Sequence, residues 1–100
     1  MNYRIDWTFS AQNSYSEEID FIYLKWNLEE VLKFEKLVEN EFERLSKNPT
    51  LGILRTENNY SFIISKQTTL FYRINNDVLS IELLLFWNNQ KNPEDLTKLL

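Results

Sequence analysis

The sequence predicts an α+β fold of order β-α-α-β-β-β, with a helical hairpin packed on one face of a twisted, mostly antiparallel sheet. Two observations predict this fold. Apolar residues recur at spacings of three and four between residues 15 and 45, and they alternate with polar residues before this region and after Pro49. Because the 100 residues contain no long linker, we expect residues 1–100 to form a single domain.

The first strand and the first helix are predicted from the N-terminal residues. Residues 3–9 alternate between apolar and polar side chains, which is typical of a half-buried strand. Ser10 is the predicted N-cap, because its hydroxyl can accept a hydrogen bond from a free amide of the first helical turn. The apolar face of this helix contains Tyr15, Ile19, Ile22 and Trp26.

The second helix has clearer boundaries. Asn27 is its predicted N-cap, and Glu30 stands three residues later at the capping-box position. Pro49 ends it, since a proline disfavours helical backbone for the residue before it. Only one or two residues join the two helices, so they should form an antiparallel hairpin. The apolar stripe of the second helix contains Val31, Phe34, Val38, Phe42 and Leu45.

Strands are predicted throughout the C-terminal half. Residues 51–56 are a weak candidate, residues 60–65 and 70–74 are stronger, and residues 78–87 are the strongest. The odd-numbered residues from Leu79 to Trp87 form a wholly apolar face, so we expect this last strand to be central. The polar residues 75–77 predict a hairpin loop, and residues 93–100 predict one or two helical turns.

The composition excludes several classes of enzyme. The chain contains no cysteine, which excludes disulfides, thiolate catalysis and thiolate metal sites. It contains no histidine, so zinc hydrolases and Ser-His-Asp enzymes are excluded as well. We therefore expect no metal site and no cofactor. Any catalysis would depend on carboxylates, lysine, arginine or tyrosine.

The acidic residues are distributed unevenly along the chain. A formal net charge of −4 argues against bulk electrostatic binding of nucleic acid. Residues 17–44 hold nine acidic residues against four basic ones. This acidic surface has two interpretations, a solvated helix face or a docking site for a basic partner. No apolar run reaches the length of a membrane span, and the N-terminus has no signal-peptide pattern, so we expect a soluble cytoplasmic protein with no membrane partner.

Four segments resemble the RelE/ParE family of bacterial toxins, and they follow one another in the order of that family. Residues 3–11, YRIDWTFSA, are similar to its first strand and helix start. Residues 45–52, LSKNPTLG, are similar to its second-helix exit. Residues 70–74, LFYRI, and 86–93, FWNNQKNP, are similar to its last two strands and the exit from them. The resemblance covers essentially the whole chain.

The resemblance implies a toxin of a type II toxin–antitoxin system, with a cognate antitoxin protein as its first partner. Such toxins inhibit growth, have been linked to plasmid stabilization, and act mainly through DNA gyrase or through ribosome-dependent mRNA cleavage. RNA-cleaving members place several Lys and Arg residues along the middle strands, with further Arg and often a Tyr after the last strand. Those groups would neutralise the scissile phosphate and move protons without histidine.

This chain departs from the pattern of the cleaving members. The basic residues of its middle strands are only Arg55, Lys66 and Arg73, and Thr69 stands where cleaving members tend to carry an arginine. Lys91 is the basic residue after the last strand, and no tyrosine follows Tyr72. The weak catalytic candidates are Arg55, Lys66, Arg73 and Lys91. The incomplete set favours a protein that is not an enzyme, although it leaves that question open.

The residues predicted to bind a target or partner are Arg73, Trp87, Asn88, Asn89, Gln90 and Lys91. Each has a simpler interpretation. Arg73 can pair with Glu82 on the neighbouring strand. Trp87 can be a packing residue, and residues 88–92 can be ordinary turn chemistry.

Three functions follow from the resemblance. The leading hypothesis is a ParE-like toxin that acts by binding a cellular target, with DNA gyrase as the candidate. The second is a RelE-like ribosome-dependent endoribonuclease. The third is a degenerate, non-toxic member that only binds an antitoxin.

Overall fold

A computed structural model describes residues 2–91 and 94–96 of the chain. Two helices pack on a five-stranded mixed sheet, which confirms the predicted α+β class with a helical hairpin on the sheet. The observed order β-α-α-β-β-β-β has one strand more than the predicted order, because the weak candidate at residues 51–56 also forms a strand. The elements are β1 (Arg4–Trp7), α1 (Phe9–Lys25), α2 (Leu28–Lys47), a short 3-10 turn (Pro49–Leu51), β2 (Ile53–Thr56), β3 (Asn59–Ile63), β4 (Thr68–Asn75) and β5 (Ser80–Asn88).

The sheet has the strand order β1-β5-β4-β3-β2. The helical hairpin carries the chain from β1 over one face of the sheet, so that β1 lies parallel to β5. Strands β2 to β5 form an antiparallel meander. The last strand lies between β1 and β4, which confirms the prediction that it is central.

Helix α1 starts two residues before the predicted position. Thr8, not Ser10, is the N-cap, and its hydroxyl oxygen accepts a hydrogen bond from the amide of Ala11 at 3.0 Å. The same hydroxyl donates to the carbonyl oxygen of Leu83 at 2.7 Å. Thr8 is favoured because it can bond to the helix and to β5 at once, whereas Ser10 lies inside the first turn.

Helix α2 starts as predicted. The side chain of Asn27 accepts a hydrogen bond from the amide of Glu30 at 3.0 Å. Four members of the predicted stripe are buried, and Phe42 is half-buried. Trp26, which was predicted on the apolar face of α1, is instead its C-cap and is 50% exposed. The helix ends before the tryptophan can turn toward the sheet.

The hydrophobic core lies between the hairpin and the sheet. Its fully buried side chains include Leu45 from α2, Leu70 and Tyr72 from β4, and Ile81 and Leu83 from β5. Burying side chains of this size stabilises the fold by roughly 1.5–3 kcal/mol each. Glu18 is also buried in this layer, where it accepts a hydrogen bond from the Thr68 hydroxyl at 2.5 Å. This part of the acidic surface is therefore not solvated.

The predicted alternation of side chains along β5 is wrong beyond Leu83. Tyr72 lies opposite Leu83 and Phe71 lies opposite Leu85, so Leu84 is an extra residue in a β-bulge. The bulge reverses the alternation. Phe86 therefore joins the core under the helices, while Leu84 and Leu85 line the opposite face.

The 3-10 turn is fixed to the sheet by Tyr72. Its hydroxyl donates to the carbonyl oxygen of Pro49 at 2.6 Å and accepts from the amide of Gly52 at 3.1 Å. Burial raises the pKa of this phenol, although the hydrogen bond from Gly52 partly opposes that rise. A Cβ atom at position 52 would lie 2.7 Å from the carbonyl oxygen of Ser61, so the close approach requires glycine there.

Of the predicted C-terminal helix, residues 94–96 are helical, and Pro93 and residues 97–100 lie outside the described residues. None of the described helices combines the length and the apolar character needed to cross a membrane.

Candidate functional site

The face of the sheet opposite the helices carries a cleft. Its volume is about 430 Å³. Two arginines, Arg55 from β2 and Arg73 from β4, line it together. The other lining residues used below are Asn59 from β3 and the bulge residues Leu84 and Leu85. We refer to this site as the arginine cleft.

A row of charged side chains crosses the sheet beside this cleft. The strand register places Asp6 next to Glu82, and Glu82 next to Arg73. Arg73 forms an ion pair with Glu82, as predicted for a surface strand arginine. Arg4 forms a second ion pair with Asp6 at 2.8 Å, and its hydrogen bond holds the pKa of the Asp6 carboxyl below its usual value. Each of these arginines therefore has a carboxylate partner within the row.

Arg55 and Asn59 complete the arginine cleft. The guanidinium of Arg55 donates a hydrogen bond to the Ser61 hydroxyl at 2.7 Å, with no carboxylate partner among the described residues. The Oδ1 atom of Asn59 is buried and accepts no hydrogen bond from any described group. The cleft thus offers one guanidinium that is free of a carboxylate partner.

The chemistry available in this cleft is limited. Two guanidiniums can hold an anion such as a carboxylate or a phosphate. Proton transfer would require a base near the anion, and the nearest carboxylate in the charged row, Glu82, is already paired with Arg73. The geometry favours binding over acid–base catalysis.

The remaining predicted residues lie at the other end of the sheet. On β4, Thr69 is opposite Trp87 and Arg73 is opposite Glu82, so four residues, or roughly 13 Å, separate the two sets. Lys66 lies in the loop between β3 and β4, and Lys91 lies after β5. The structure therefore joins Arg55 with Arg73, and it separates both from Lys66 and Lys91.

The two asparagines after β5 hold this end of the sheet together. The Asn89 side chain accepts a hydrogen bond from the Thr69 hydroxyl at 2.8 Å and donates to the carbonyl oxygen of Lys66 at 3.1 Å. The buried Asn88 accepts from the amide of Gln90 at 2.8 Å. These bonds use the polar groups that a partner would need, so the two asparagines have a structural role in this state.

Trp87 and Lys91 form a second contact at this end. The indole of Trp87 is only 5% exposed. The Lys91 ammonium lies 5.7 Å from the ring centroid of Trp87 and 3.5 Å from the Glu17 carboxylate. Lys91 remains about half exposed, so its charge is the more accessible feature of this pair.

The sequence did not predict a patch of exposed apolar side chains at the tip of the helical hairpin. This tip patch contains Tyr23, Leu24, Trp26, Leu28 and Leu32, each at least half exposed. A groove of about 300 Å³ runs from Trp26 between the helices and the β3–β4 loop, and Lys33 and Lys66 lie at its rim. Apart from Trp26, these apolar residues fall outside the helical spacing of the buried stripe. Their outward positions were the sequence signal that could have identified the patch.

No group of three or more acidic side chains among residues 2–91 and 94–96 is arranged to hold a metal ion.

Comparison with known proteins identifies one family by sequence. The profile of the family described as "ParE toxin of type II toxin-antitoxin system, parDE" matches residues 5–92. No curated protein sequence matches the chain significantly.

Several solved structures share the fold, including the following three. A chain of the toxin–antitoxin complex RelBE2 from Mycobacterium tuberculosis is 22% identical, with a TM-score of 0.61, over 89% of this chain and 100% of that chain. The YoeB/ParE toxin from Agrobacterium tumefaciens is 13% identical, with a TM-score of 0.60, over 86% and 98% of the two chains. A mutant of the toxin RelE from E. coli in the free state is 13% identical, with a TM-score of 0.62, over 100% of both.

Proposed function

The chain belongs to the ParE toxin family of type II toxin–antitoxin systems, within the RelE/ParE group, and we propose from this membership that it acts by binding a cellular target rather than by cleaving RNA. A cognate antitoxin neutralises it. DNA gyrase is the candidate target, as the resemblance to ParE-like members implies. The protein acts in the cytoplasm, where binding of the target inhibits growth.

One observation carries the preference for binding. The charged row beside the arginine cleft pairs Arg73 with Glu82 and Arg4 with Asp6. A nuclease must attract a polyanion and stabilise additional negative charge at the scissile phosphate. Cations that are already neutralised by carboxylates serve this purpose poorly, because an RNA phosphate would have to displace Glu82 or Asp6.

Two surfaces of the chain are suited to binding the antitoxin. The tip patch exposes large apolar side chains beside a groove, which fits the apolar face of an amphipathic helix. Strand β2 is an edge of the sheet, and all four of its residues are exposed, with Ile53 and Leu54 each 56% exposed. An extended segment can pair with such an edge.

Complex formation tests the antitoxin part of the proposal. Gel filtration and calorimetry with the product of the neighbouring gene should give a stable complex at micromolar concentration. A double substitution in the tip patch, Leu24→Ser with Leu28→Ser, should weaken it, and the control Val78→Ser changes an exposed apolar residue elsewhere. Absence of a complex with the unmodified chain would contradict neutralisation by that protein.

An in vitro assay tests the target. Purified chain added to DNA gyrase should inhibit supercoiling of relaxed plasmid, and prior addition of the antitoxin should restore it. Unchanged supercoiling at a large excess of the chain would exclude gyrase as the target. Binding of another target would then remain as the explanation.

A second candidate is a ribosome-dependent endoribonuclease. It is favoured by the convergence of Arg55 and Arg73 on one cleft, and by the Arg55 guanidinium that has no described carboxylate partner. Mapping of transcript ends after induction separates the two functions, since only the nuclease produces new ends within coding sequences.

A further inference from the structure

Helix α2 carries an acidic stripe formed by Glu35, Glu39 and Glu43, which follow one another at intervals of four residues. Residues at this spacing are neighbours on a helix surface, and like charges there destabilise the helix. All three side chains belong to exposed residues. None of them forms an ion pair within the described part of the chain.

Elsewhere on α2, glutamates are paired with basic residues of the same helix. Lys33 pairs with Glu30 at 3.3 Å, and Arg44 pairs with Glu41 at 2.8 Å. Both pairs lie on the other side of the buried stripe, at the favourable i,i+3 spacing. Lys33 and Arg44 therefore neutralise the other side of α2. The remaining basic residues of the helix, Lys36 and Lys47, form no ion pair with the stripe among the described residues, so its carboxylates stay available to a partner.

A groove lined by aromatic rings runs beside the acidic stripe. It has a volume of about 270 Å³, and Trp7, Tyr15 and Phe42 supply its rings, with Glu35 and Glu39 at the rim. The ring of Trp7 lies edge-on to Tyr15 at a centroid distance of 5.3 Å and to Phe42 at 5.6 Å. The indole is held by these contacts, yet 36% of Trp7 remains exposed.

The groove is a region of negative potential. Burial raises the pKa of Tyr15 to about 12, and the charges of Glu35 and Glu39 contribute further to that rise. No lysine or arginine among the described residues lines the groove. An aromatic face and two carboxylates without partners are the groups that recognise an alkylammonium or guanidinium ion.

We propose that the aromatic groove and the acidic stripe together bind a basic segment of the cognate antitoxin, with one arginine inserted over Trp7 and paired with Glu35 and Glu39. This inference rests on the proposed neutralisation by an antitoxin and adds the chemistry of one contact. The volume of the groove is below the range of pockets that take whole small-molecule ligands, so it suits a single side chain. Further basic residues of the segment would follow the stripe toward Glu43.

A bound basic segment would relieve the unfavourable repulsion between the glutamates of the stripe. Glutamates four residues apart are stabilised when a partner places positive charge between them. The isolated chain retains the repulsion, and the complex removes it. Charge complementarity therefore favours a basic occupant over the acidic or neutral segments that the tip patch could accept.

NMR spectroscopy of the intact chain provides the first test. The probe is a blocked pentapeptide with arginine at its centre and leucine or alanine on either side, and the matched control peptide carries uncharged citrulline instead. The chain has three tryptophans, each with one indole N–H resonance. The arginine peptide should shift the resonance of Trp7 and leave those of Trp26 and Trp87 unchanged, while the citrulline peptide should bind at least roughly tenfold more weakly.

Two double variants sharpen this test. Glu35→Gln with Glu39→Gln should weaken binding of the arginine peptide by roughly tenfold and lower the pKa of Tyr15. Asp20→Asn with Glu29→Gln removes the same net charge elsewhere on the helices and should change neither. Equal binding of the citrulline peptide, or equal weakening by both variants, would overturn the inference, because net charge alone would then explain the result.

The complex with the antitoxin separates this inference from the function on which it rests. If the unmodified chain forms the complex, E35Q/E39Q should raise its dissociation constant by roughly tenfold and D20N/E29Q should not. A complex that is unaffected by E35Q/E39Q overturns the groove contact and leaves the proposed function intact. If the unmodified chain forms no complex, the antitoxin is excluded as the occupant and the neutralisation itself is contradicted.

Discussion

The two faces of the sheet differ in almost every physical respect. The helix-covered face is built from fully buried apolar side chains such as Leu70, Ile81 and Leu83. The open face carries the arginine cleft and the exposed ion pair between Arg73 and Glu82, which joins β4 to β5. The helix-covered face therefore determines whether the chain folds, whereas the open face can change with little cost to folding.

The bulge at Leu84 is the point where the two faces exchange residues. Without an extra residue in β5, Phe86 would face the open side and Leu85 would face the helices. The bulge thus brings an additional ring under the helices and places two leucines in the arginine cleft. Substitutions on each face test this difference between the two faces.

The largest effect is expected for Leu83→Ala on the helix-covered face. Leu83 is fully buried, so the substitution leaves a cavity and should lower the free energy of unfolding by about 2–5 kcal/mol. The control is its neighbour Leu84→Ala in the bulge, which should cost roughly 1 kcal/mol or less. Urea unfolding followed by circular dichroism measures both, and equal losses would contradict the assignment of the faces.

Tyr72→Phe should have the next largest effect. It removes the hydroxyl that bonds to Pro49 and Gly52, and it leaves a partly buried donor and a partly buried acceptor without partners. The free energy of unfolding should fall by about 1–3 kcal/mol. Tyr60→Phe is the matched control, since Tyr60 stacks on Tyr72 at 5.4 Å and its hydroxyl has no bond to a described group. Both variants keep the stacked rings, so a similar loss in Tyr60→Phe would show that the bonds of the Tyr72 hydroxyl do not fix the turn.

Thr8→Ala tests the position of the helix start. The substitution removes the cap of α1 and its bond to Leu83, so we expect a loss of about 0.5–2 kcal/mol. Ser10→Ala, at the position that the sequence predicted as the cap, should change stability by no more than about 0.5 kcal/mol. Thermal unfolding measures both losses. A larger loss for Ser10→Ala than for Thr8→Ala would restore Ser10 as the N-cap.

The smallest effect on stability is expected on the open face. Arg73→Ala breaks an exposed ion pair with Glu82 and should cost less than about 1 kcal/mol, with the cost falling further at high salt. Urea unfolding at low and high salt measures it. A loss comparable to that of Leu83→Ala would show that the charged row contributes to folding, and the contrast between the faces would fail.

Much of the fold could be predicted because its signals are local. The capping chemistry of Asn27 and Glu30 and the apolar stripe of α2 depend on residues close in sequence. The start of α1 could not be predicted in this way, because Thr8 is favoured over Ser10 by a bond to Leu83, a residue 75 positions away. The same is true of the bulge, which depends on how β5 pairs with β4.

The candidate site was only partly predictable for a related reason. The chemistry of Arg55 and Arg73 can be identified in the sequence, but their convergence on one cleft follows from the antiparallel pairing of β2, β3 and β4. The acidic composition of α2 was evident, whereas its division into a paired side and an unpaired stripe requires the partners of Lys33 and Arg44. Trp7 gave no signal beyond that of an ordinary strand residue.

We propose that this toxin acts by binding, with no use of the arginine cleft for RNA cleavage. The most direct test is tightly controlled expression in a bacterial host, with colony-forming ability and transcript ends measured in the same culture. If the toxin acts by binding, viable cells should fall by several decades, the antitoxin should rescue them, and transcripts should stay intact. New transcript ends that disappear in the double variant Arg55→Ala with Arg73→Ala would contradict it, and so would undiminished growth with soluble protein present.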